Sequence, residues 1–437
     1  MSTPKQKDSL ILNKLGIQKL NSMQDEARSN ILSNKNTLVL SPTGSGKTLA
    51  FLLPLIELLD SNCQEIQALI ISPTRELAIQ IEQVTRSMGS GFKTNAVYGG
   101  RAGSKDREEL KKLPAILIGT PGRIADRIRR DNFSMDYLKI VVFDEFDKSL
   151  EIGFESEMKE ITEQIPQNAK KVFTSATNRV SIPSFINIEN IVKLDYLNNK
   201  SSKLELKLID FDFHKKNQKM LEFLNHVSSK KGIVFCNYKQ SIYDLSEFLD
   251  EHGINHACFH GGMEQFDRER ALIKFRNGTH DVLISSDLAA RGIDIDSIHF
   301  ICHFELPDRE EEFIHRNGRT ARMNNDGTAF VFTDKSKKTP DFLLNIPTEK
   351  LVKGKPSIDT EQWETLFISA GRKDKISKGD IAGFFIKKGN LDFKDVGKIE
   401  IKHDCSFVAI NATNAAKALK TLDNQKIKKK KIRIKVC

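Results

Sequence analysis

Two periods of apolar and polar positions alternate along this chain. Residues 37–40, 68–72, 94–98, 115–118, 140–143, 171–174 and 190–194 are short, β-branched apolar runs and read as strands. Between them, stretches such as 76–88 and 154–164 repeat apolar residues every three or four positions, the period of an amphipathic helix. Alternating strands and helices predict a mostly parallel, doubly wound sheet whose ligands gather at the carboxyl ends of the strands. After the polar stretch 196–202 the same pattern restarts, with strands at 232–236, 255–259, 281–284, 300–303 and 327–332 and helices at 240–252 and 265–277. A third region follows the lysine-rich 333–340 and the Pro/Gly/Lys-rich 351–356. Its order is β (365–369), α (378–388), β (398–402), β (407–410), α (413–422), β (431–436), the split β-α-β of a small RNA-recognition fold. The expected architecture is two tandem α/β domains with doubly wound parallel sheets, 1–200 and 201–345, followed by a small α+β domain, 351–437.

Charge sharpens this picture. Residues 351–437 hold 20 Lys and Arg against 10 Asp and Glu, so the whole formal net charge of +10 sits in the third region. Such asymmetry suits a polyanion, although a solubilising lysine-rich tail would look the same by charge alone. No apolar run approaches the roughly 20 residues that span a bilayer, and the polar first eight residues do not resemble a signal peptide. The six cysteines are scattered without a C-x-x-C pair, which argues for reduced thiols rather than a zinc site or disulfide framework. A cytoplasmic protein with no membrane association is expected.

The chemistry starts at residues 38–48, Leu-Val-Leu-Ser-Pro-Thr-Gly-Ser-Gly-Lys-Thr, where an apolar strand enters a glycine-rich turn and a predicted helix follows. Backbone N–H groups around Ser41, Thr43, Gly44, Ser45 and Gly46 suit phosphate oxygens, Lys47 suits the terminal phosphates, and the Thr48 hydroxyl suits Mg²⁺. A second strand, 140–143, runs into Asp144-Glu145-Phe146-Asp147. There Asp144 suits the metal's water shell, and Glu145 suits orienting or deprotonating an attacking water. In the second domain Arg316, Arg319 and Arg322 recur at three-residue spacing, so on a helix they would share one face. Such arginines can stabilise charge on a transferring phosphoryl group; a solvated basic helix face is the alternative.

Across about residues 15–335 these elements, in order and spacing, resemble the DEAD-box RNA helicases. Gly16 to Gln24 looks like the Q motif, Ser41–Thr48 motif I and 73–78 motif Ia. Gly99-Gly100 and Thr120-Pro-Gly-Arg123 look like the GG and Ib elements, 144–147 motif II and Ser175-Ala-Thr177 motif III. In the second domain, 233–237 resembles motif IV, 265–268 the QxxR element, 287–294 motif V and 315–322 motif VI. The resemblance implies two RecA-like domains that use ATP and Mg²⁺ to act on RNA. It assigns Gln24 to adenine, Lys47 and Thr48 to phosphates and metal, Asp144 and Glu145 to metal and water, and Asp294 to the ribose. Arg319 and Arg322 become arginine fingers, and Ser175 and Thr177 couple nucleotide state to strand separation. Pro73, Thr74, Arg75, Gly100, Thr120, Arg123 and Arg268 line the RNA backbone path.

Three departures stand out. Phe146 puts a ring where the family has a methyl, so packing beneath the site is expected to differ. Leu20 and Ser22 replace prolines of the Q motif, and no aromatic residue precedes Phe51, so the upstream ring that stacks on adenine is missing.

Beyond residue 351, segments 365–376, 379–383 and 396–401 and the lysine-rich last strand resemble the RNA-binding, RRM-like domain of bacterial DbpA-type helicases. That resemblance implies a monomeric helicase directed to a 23S rRNA hairpin in the assembling large ribosomal subunit. Phe367 and Phe407, on neighbouring predicted strands amid lysines, suit base stacking or core packing equally. Phe146 keeps open an ATP-gated RNA clamp with little turnover, and a DNA-directed P-loop helicase is the other alternative.

Overall fold

Seven parallel strands build the first sheet: β1 (Asn36–Leu40), β2 (Ala68–Ile71), β3 (Thr94–Val97), β4 (Ile116–Gly119), β5 (Ile140–Phe143), β6 (Lys170–Ser175) and β7 (Ile191–Asp195). Their order is β3-β4-β2-β5-β6-β1-β7. The coordinates are a computed structural model that describes residues 4–100, 103–131, 134–151, 153–178, 181–198, 204–228, 230–287, 298–320, 326–338, 340–352 and 362–437. Strands β1 to β5 are buried at every position, which is why they are written as nearly continuous apolar runs. Val39, Ile70, Ile118 and Val142 fill the core on one face, and Leu38, Leu69, Leu117 and Val141 the core on the other.

The described residues divide at 203/204 into two compact units. The second unit opens with β8 (Leu204–Phe211), followed by β9 (Gly232–Phe235), β10 (His256–Phe259), β11 (Val282–Ser285), β12 (Phe300–His303) and β13 (Gly327–Asp334). These six strands are parallel, in the order β10-β11-β9-β12-β13-β8. The pattern of apolar runs misses β8. It lies at the sheet edge, and its sequence alternates Leu204, Leu206 and Leu208 with Glu205 and Lys207.

The same unit carries a four-stranded antiparallel sheet made of β14 (Trp363–Ile368), β15 (Val396–Ile401), β16 (Ser406–Asn411) and β19 (Ile434–Val436), in the order β15-β16-β14-β19. A small hairpin, β17 (Lys426–Ile427) and β18 (Lys430–Lys431), precedes its last strand. One face of this sheet packs Leu366, Ile368, Val408 and Ile410 against Ile381, Phe385, Ala415, Ala418 and Leu422. The predicted helix 378–388 forms, but it widens after Gly383 into a π-turn, Phe384–Lys388, that buries both Phe384 and Phe385. All six cysteines are free thiols.

Candidate active site and nucleic-acid path

Strand β1 delivers the chain to the glycine-rich turn, and the Ser41 N–H continues the sheet ladder by donating to the Ser175 carbonyl at 3.0 Å. Gly44 and Gly46 take φ of 81° and 89°, a region that side-chain-bearing residues avoid. At Gly46 a Cβ would also lie 2.3 Å from Gln24 Nε2. The helix Lys47–Leu58 starts at once, so its first-turn N–H groups face the turn, as anion binding requires. Lys47 Nζ donates to the carbonyls of Ser41 at 2.6 Å and Pro42 at 2.9 Å, which holds the ammonium inside the loop.

The turn is braced from outside by the helix Ser22–Ser33. Asn21 caps that helix, in a box closed by Gln24 Oε1 accepting from the Asn21 N–H. Asn21 Nδ2 then donates to the Ser45 carbonyl at 3.1 Å, and Gln24 Nε2 to the Gly46 carbonyl at 3.2 Å. Gln24 is therefore buried against the phosphate turn with both ends of its amide engaged. An adenine contact has to share or replace the Gly46 bond.

Strand β5 brings the two acids beside this turn. Thr174 Oγ1, on β6, donates to Asp144 Oδ1 at 2.5 Å and accepts from the Glu145 N–H at 3.0 Å, which fixes both residues. Glu145 adopts φ 44°, a strained conformation for a side-chain-bearing residue, and its Oε2 is buried with no hydrogen-bond partner. Burial, and then the charge of Glu145, push the Asp144 carboxyl up to about 6, against the opposing pull of Thr174 and Lys47. Two buried carboxyls in this state suit a cation and an ordered water. Among the described residues no group of three or more His, Cys, Asp or Glu could hold a metal alone.

Ser175 and Thr177 are wired into the same corner. Ser175 Oγ accepts from the Thr177 N–H at 3.0 Å, and Thr177 Oγ1 donates to Asp147 Oδ2 at 3.3 Å. Phe146 turns away from the acids into the core. It is fully buried, edge-on to Phe143 at 5.9 Å and Phe173 at 5.2 Å, while those two rings stack at 4.7 Å. The altered packing beneath the site is this three-ring cluster.

The expected RNA-path residues of the first domain gather at the carboxyl ends of β3, β4 and β2, which are neighbours in the sheet. Pro73 and Thr74 are buried, and Thr74 caps the helix Arg75–Met88 by accepting from the Leu77 N–H at 3.3 Å. Arg75 lies so close to Gly99 that a Cβ there would sit 3.2 Å from its guanidinium. Gly100 is exposed with φ 79°. The Thr120 N–H donates to the Val97 carbonyl at 3.2 Å, and Arg123 Nε donates to buried Asp106 at 2.7 Å.

In the second unit the structure corrects the shared arginine face. The helix Glu310–Asn317 ends at Gly318, so Arg319 lies beyond it in the following turn; Arg322 and Asp294 fall outside the described residues. Arg316 is 2% exposed and fully engaged. Its Nε donates to Asp287 Oδ1 at 2.5 Å, and a second bond from Nη2 to Oδ2 completes a fork. Nη1 donates to the Glu305 carbonyl at 2.6 Å and Nη2 to Asn237 Oδ1 at 2.7 Å, while the guanidinium lies 5.1 Å from the Phe235 ring centroid. Arg316 thus locks together segments that look like motifs IV, V and VI. Spacing placed these residues in separate motifs and gave no sign that they converge. Arg268 is buried with its guanidinium 5.0 Å from the Phe259 ring centroid.

The base-stacking expectation for Phe407 is also corrected. Phe367 and Phe407 are cross-strand partners, edge-to-face at 5.6 Å, but Phe407 is only 2% exposed. Its face of the sheet packs on the helix Gln265–Asn277 through Ile273, with Cys437 alongside and Phe367 half-buried. Around this contact Arg276 Nε pairs with Glu400 at 2.8 Å, Asn277 Nδ2 donates to Thr365 Oγ1 at 3.1 Å, and Thr279 Oγ1 meets the same hydroxyl at 2.7 Å. Trp363 packs between two glycines: a Cβ would lie 3.4 Å from it at Gly278 and 2.9 Å at Gly397.

Comparison with known proteins agrees with this geometry. Residues 21–183 match the family model "DEAD/DEAH box helicase", 215–324 "Helicase conserved C-terminal domain" and 365–436 "DbpA RNA binding domain". The chain is similar to the ATP-dependent RNA helicase DbpA of Escherichia coli (strain K12), at 33% identity over 97% of this chain and 96% of that protein. The DbpA of Bacillus subtilis (strain 168) is 30% identical over 96% and 95%. A solved structure of S. cerevisiae Dbp5 bound to RNA and ADP BeF3 superposes with a TM-score of 0.67 at 26% identity, covering 74% of this chain and 86% of that one.

Proposed function

The chain belongs to the DEAD-box ATP-dependent RNA helicases of DbpA type, and from that premise we propose that it opens short duplexes around a 23S rRNA hairpin during large-subunit assembly. Its two parallel-sheet domains are RecA-like, it binds RNA, and its ATP hydrolysis is RNA-stimulated. The observation that carries the functional reading is the single corner in which Lys47, Asp144, Glu145, Ser175 and Thr177 meet. The rRNA target rests on the basic third domain, 351–437, with the first two domains as 1–200 and 201–345. Among the described residues no helix is long and apolar enough to cross a membrane. A cytoplasmic monomer is the form proposed.

In this reading Lys47 and the turn N–H groups bind the phosphates, and Gln24 reports adenine to the turn through Gly46. Thr48 and Asp144 would hold Mg²⁺, which would supply neutralisation of phosphate charge. Glu145, with its unpartnered oxygen, accepts the proton of the attacking water. Arg319 and Arg322 stabilise charge on the γ-phosphoryl, and Asp294 holds the ribose. The Ser175–Thr177–Asp147 bonds carry the state of the nucleotide towards the RNA side. Pro73, Thr74, Arg75, Gly100, Thr120, Arg123 and Arg268 contact RNA backbone.

The test is RNA-stimulated ATPase with an rRNA hairpin, generic RNA and DNA of equal length. The hairpin is expected to stimulate at the lowest concentration and DNA not at all; equal stimulation by DNA refutes the reading. Glu145→Gln is expected to cut turnover by roughly 10²- to 10⁴-fold while nucleotide affinity holds, as loss of a general base does.

Asp144 adds a pH dependence. Its carboxyl is raised to about 6 from 3.8, so without metal its contribution to folding stability is present below pH 4 and is lost as pH rises to 6. Mg²⁺-nucleotide requires the carboxylate. Affinity is therefore expected to be level above pH 7 and to fall about tenfold per unit well below pH 6. Titration with a fluorescent nucleotide between pH 5 and 8 checks this, and a flat profile would count against Asp144 as the metal-side acid.

A further inference from the structure

The carboxyl ends of β9 and β10 present rings and a lysine that the roles above leave unused. Tyr238 is 63% exposed and Tyr243 is 51% exposed. Tyr238 is extended immediately before the helix Lys239–Glu251, and Tyr243 follows within its second turn. Lys239 and Tyr243 are four residues apart on that helix and so share a face. The Tyr243 and His260 rings stand perpendicular, at 5.0 Å and 81°, so Tyr243 is held in place while remaining exposed. Lys239 Nζ reaches over the next loop, 3.0 Å from where a Cβ on Gly262 would lie. Gly261 and Gly262 are exposed, and nothing approaches within 4 Å of a Cβ built on Gly261. His260 is buried, and its pKa is held below the usual imidazole value by burial and then by the nearby charges of Lys239 and Arg268. The neutral ring is therefore a support for Tyr243, and two cations converge on the same loop.

An exposed tyrosine held against a perpendicular ring, with a lysine one helical turn away and an open glycine loop beside it, is the combination that single-stranded nucleic acid uses. Bases stack on the ring while phosphates pair with the cation, whatever the sequence. Arg268, one of the RNA-backbone residues in the reading above, adjoins the cluster through His260 and Phe259. We propose that Tyr243, assisted by Tyr238, is a base-stacking platform for single-stranded RNA, with Lys239 on the adjoining phosphate. This rests on the RNA-helicase reading and deepens it, because it adds a grip on bases to one on backbone.

The experiment measures binding of full-length protein to a labelled single-stranded RNA and to copies with an abasic site moved along the strand. Proteins compared are wild type, Tyr243→Ala, Tyr243→Phe and Tyr238→Ala. One abasic position is expected to weaken wild-type binding by about tenfold, within the range for one stacked base. Tyr243→Ala should lose a similar factor on intact RNA and lose nothing further at that abasic position, while Tyr243→Phe keeps wild-type behaviour. Tyr238→Ala should show a smaller loss. Losses that add independently, or a Tyr243→Ala variant that binds intact RNA like wild type, overturn the platform. Failure of wild type to bind any RNA overturns the helicase reading itself, before any variant is compared.

Discussion

Replacing Arg316 with leucine is expected to destabilise the second unit by roughly 3–5 kcal/mol and to abolish RNA-stimulated turnover. That is the usual cost of breaking a buried ion pair from one side. The substitution strands the Asp287 carboxylate, the Asn237 amide oxygen and the Glu305 carbonyl, all of which accept from this guanidinium. A domain is held by only about 5–15 kcal/mol, so the loss is a large share of its stability. Arg316→Lys should rescue little, because an ammonium cannot make the planar fork to Asp287 while also serving two further acceptors. Thermal unfolding and ATPase measured together separate this from a phosphate contact. Loss of a pure arginine finger lowers turnover and leaves the unfolding temperature alone, whereas here both should fall. A leucine variant that melts with wild type would refute the locking role.

Phe146→Ala gives the second large effect, in which stability falls while catalysis persists. The change restores the methyl usual in the family at that position, yet it is expected to cost roughly 3–5 kcal/mol, the range for deleting a buried phenylalanine ring. Its partners Phe143 and Phe173 would face a cavity one methyl cannot fill. Hydrolysis per folded molecule should persist, because Asp144 and Glu145 are held from the other side by Thr174. Denaturant unfolding and single-turnover hydrolysis check the two halves. Faster chemistry with unchanged stability would mean that the ring presses on the site, contrary to the packing described.

The strands of both parallel sheets were legible because burial on both faces forces long apolar runs, and such runs have almost no other use in a polar chain. Strand β8 was not, since an edge strand half open to water writes an alternating pattern that resembles a linker. The phosphate turn and the two acids were legible as local motifs, whose residues meet because β1, β5 and β6 are neighbours. Roles that depend on where a side chain turns were not. Arg316 and Arg319 look equivalent at three-residue spacing, but the helix stops between them, and only the fold brings Asp287 and Asn237 to the first. Phe407 illustrates the same limit: a ring on a recognition-type sheet looks identical in sequence whether RNA or another helix covers it.

That covered sheet changes how the third domain transmits information. A domain on a loose leash works through concentration: it keeps its RNA nearby, and the outcome depends on leash length. Here Ile273, Arg276, Asn277 and Gly278 hold the sheet against the helix that also carries Arg268. Residues 353–361 should then tolerate lengthening with little effect on RNA-stimulated ATPase. What the arrangement conveys is direction: an RNA gripped by this domain would be held in one fixed orientation to the helix that carries Arg268.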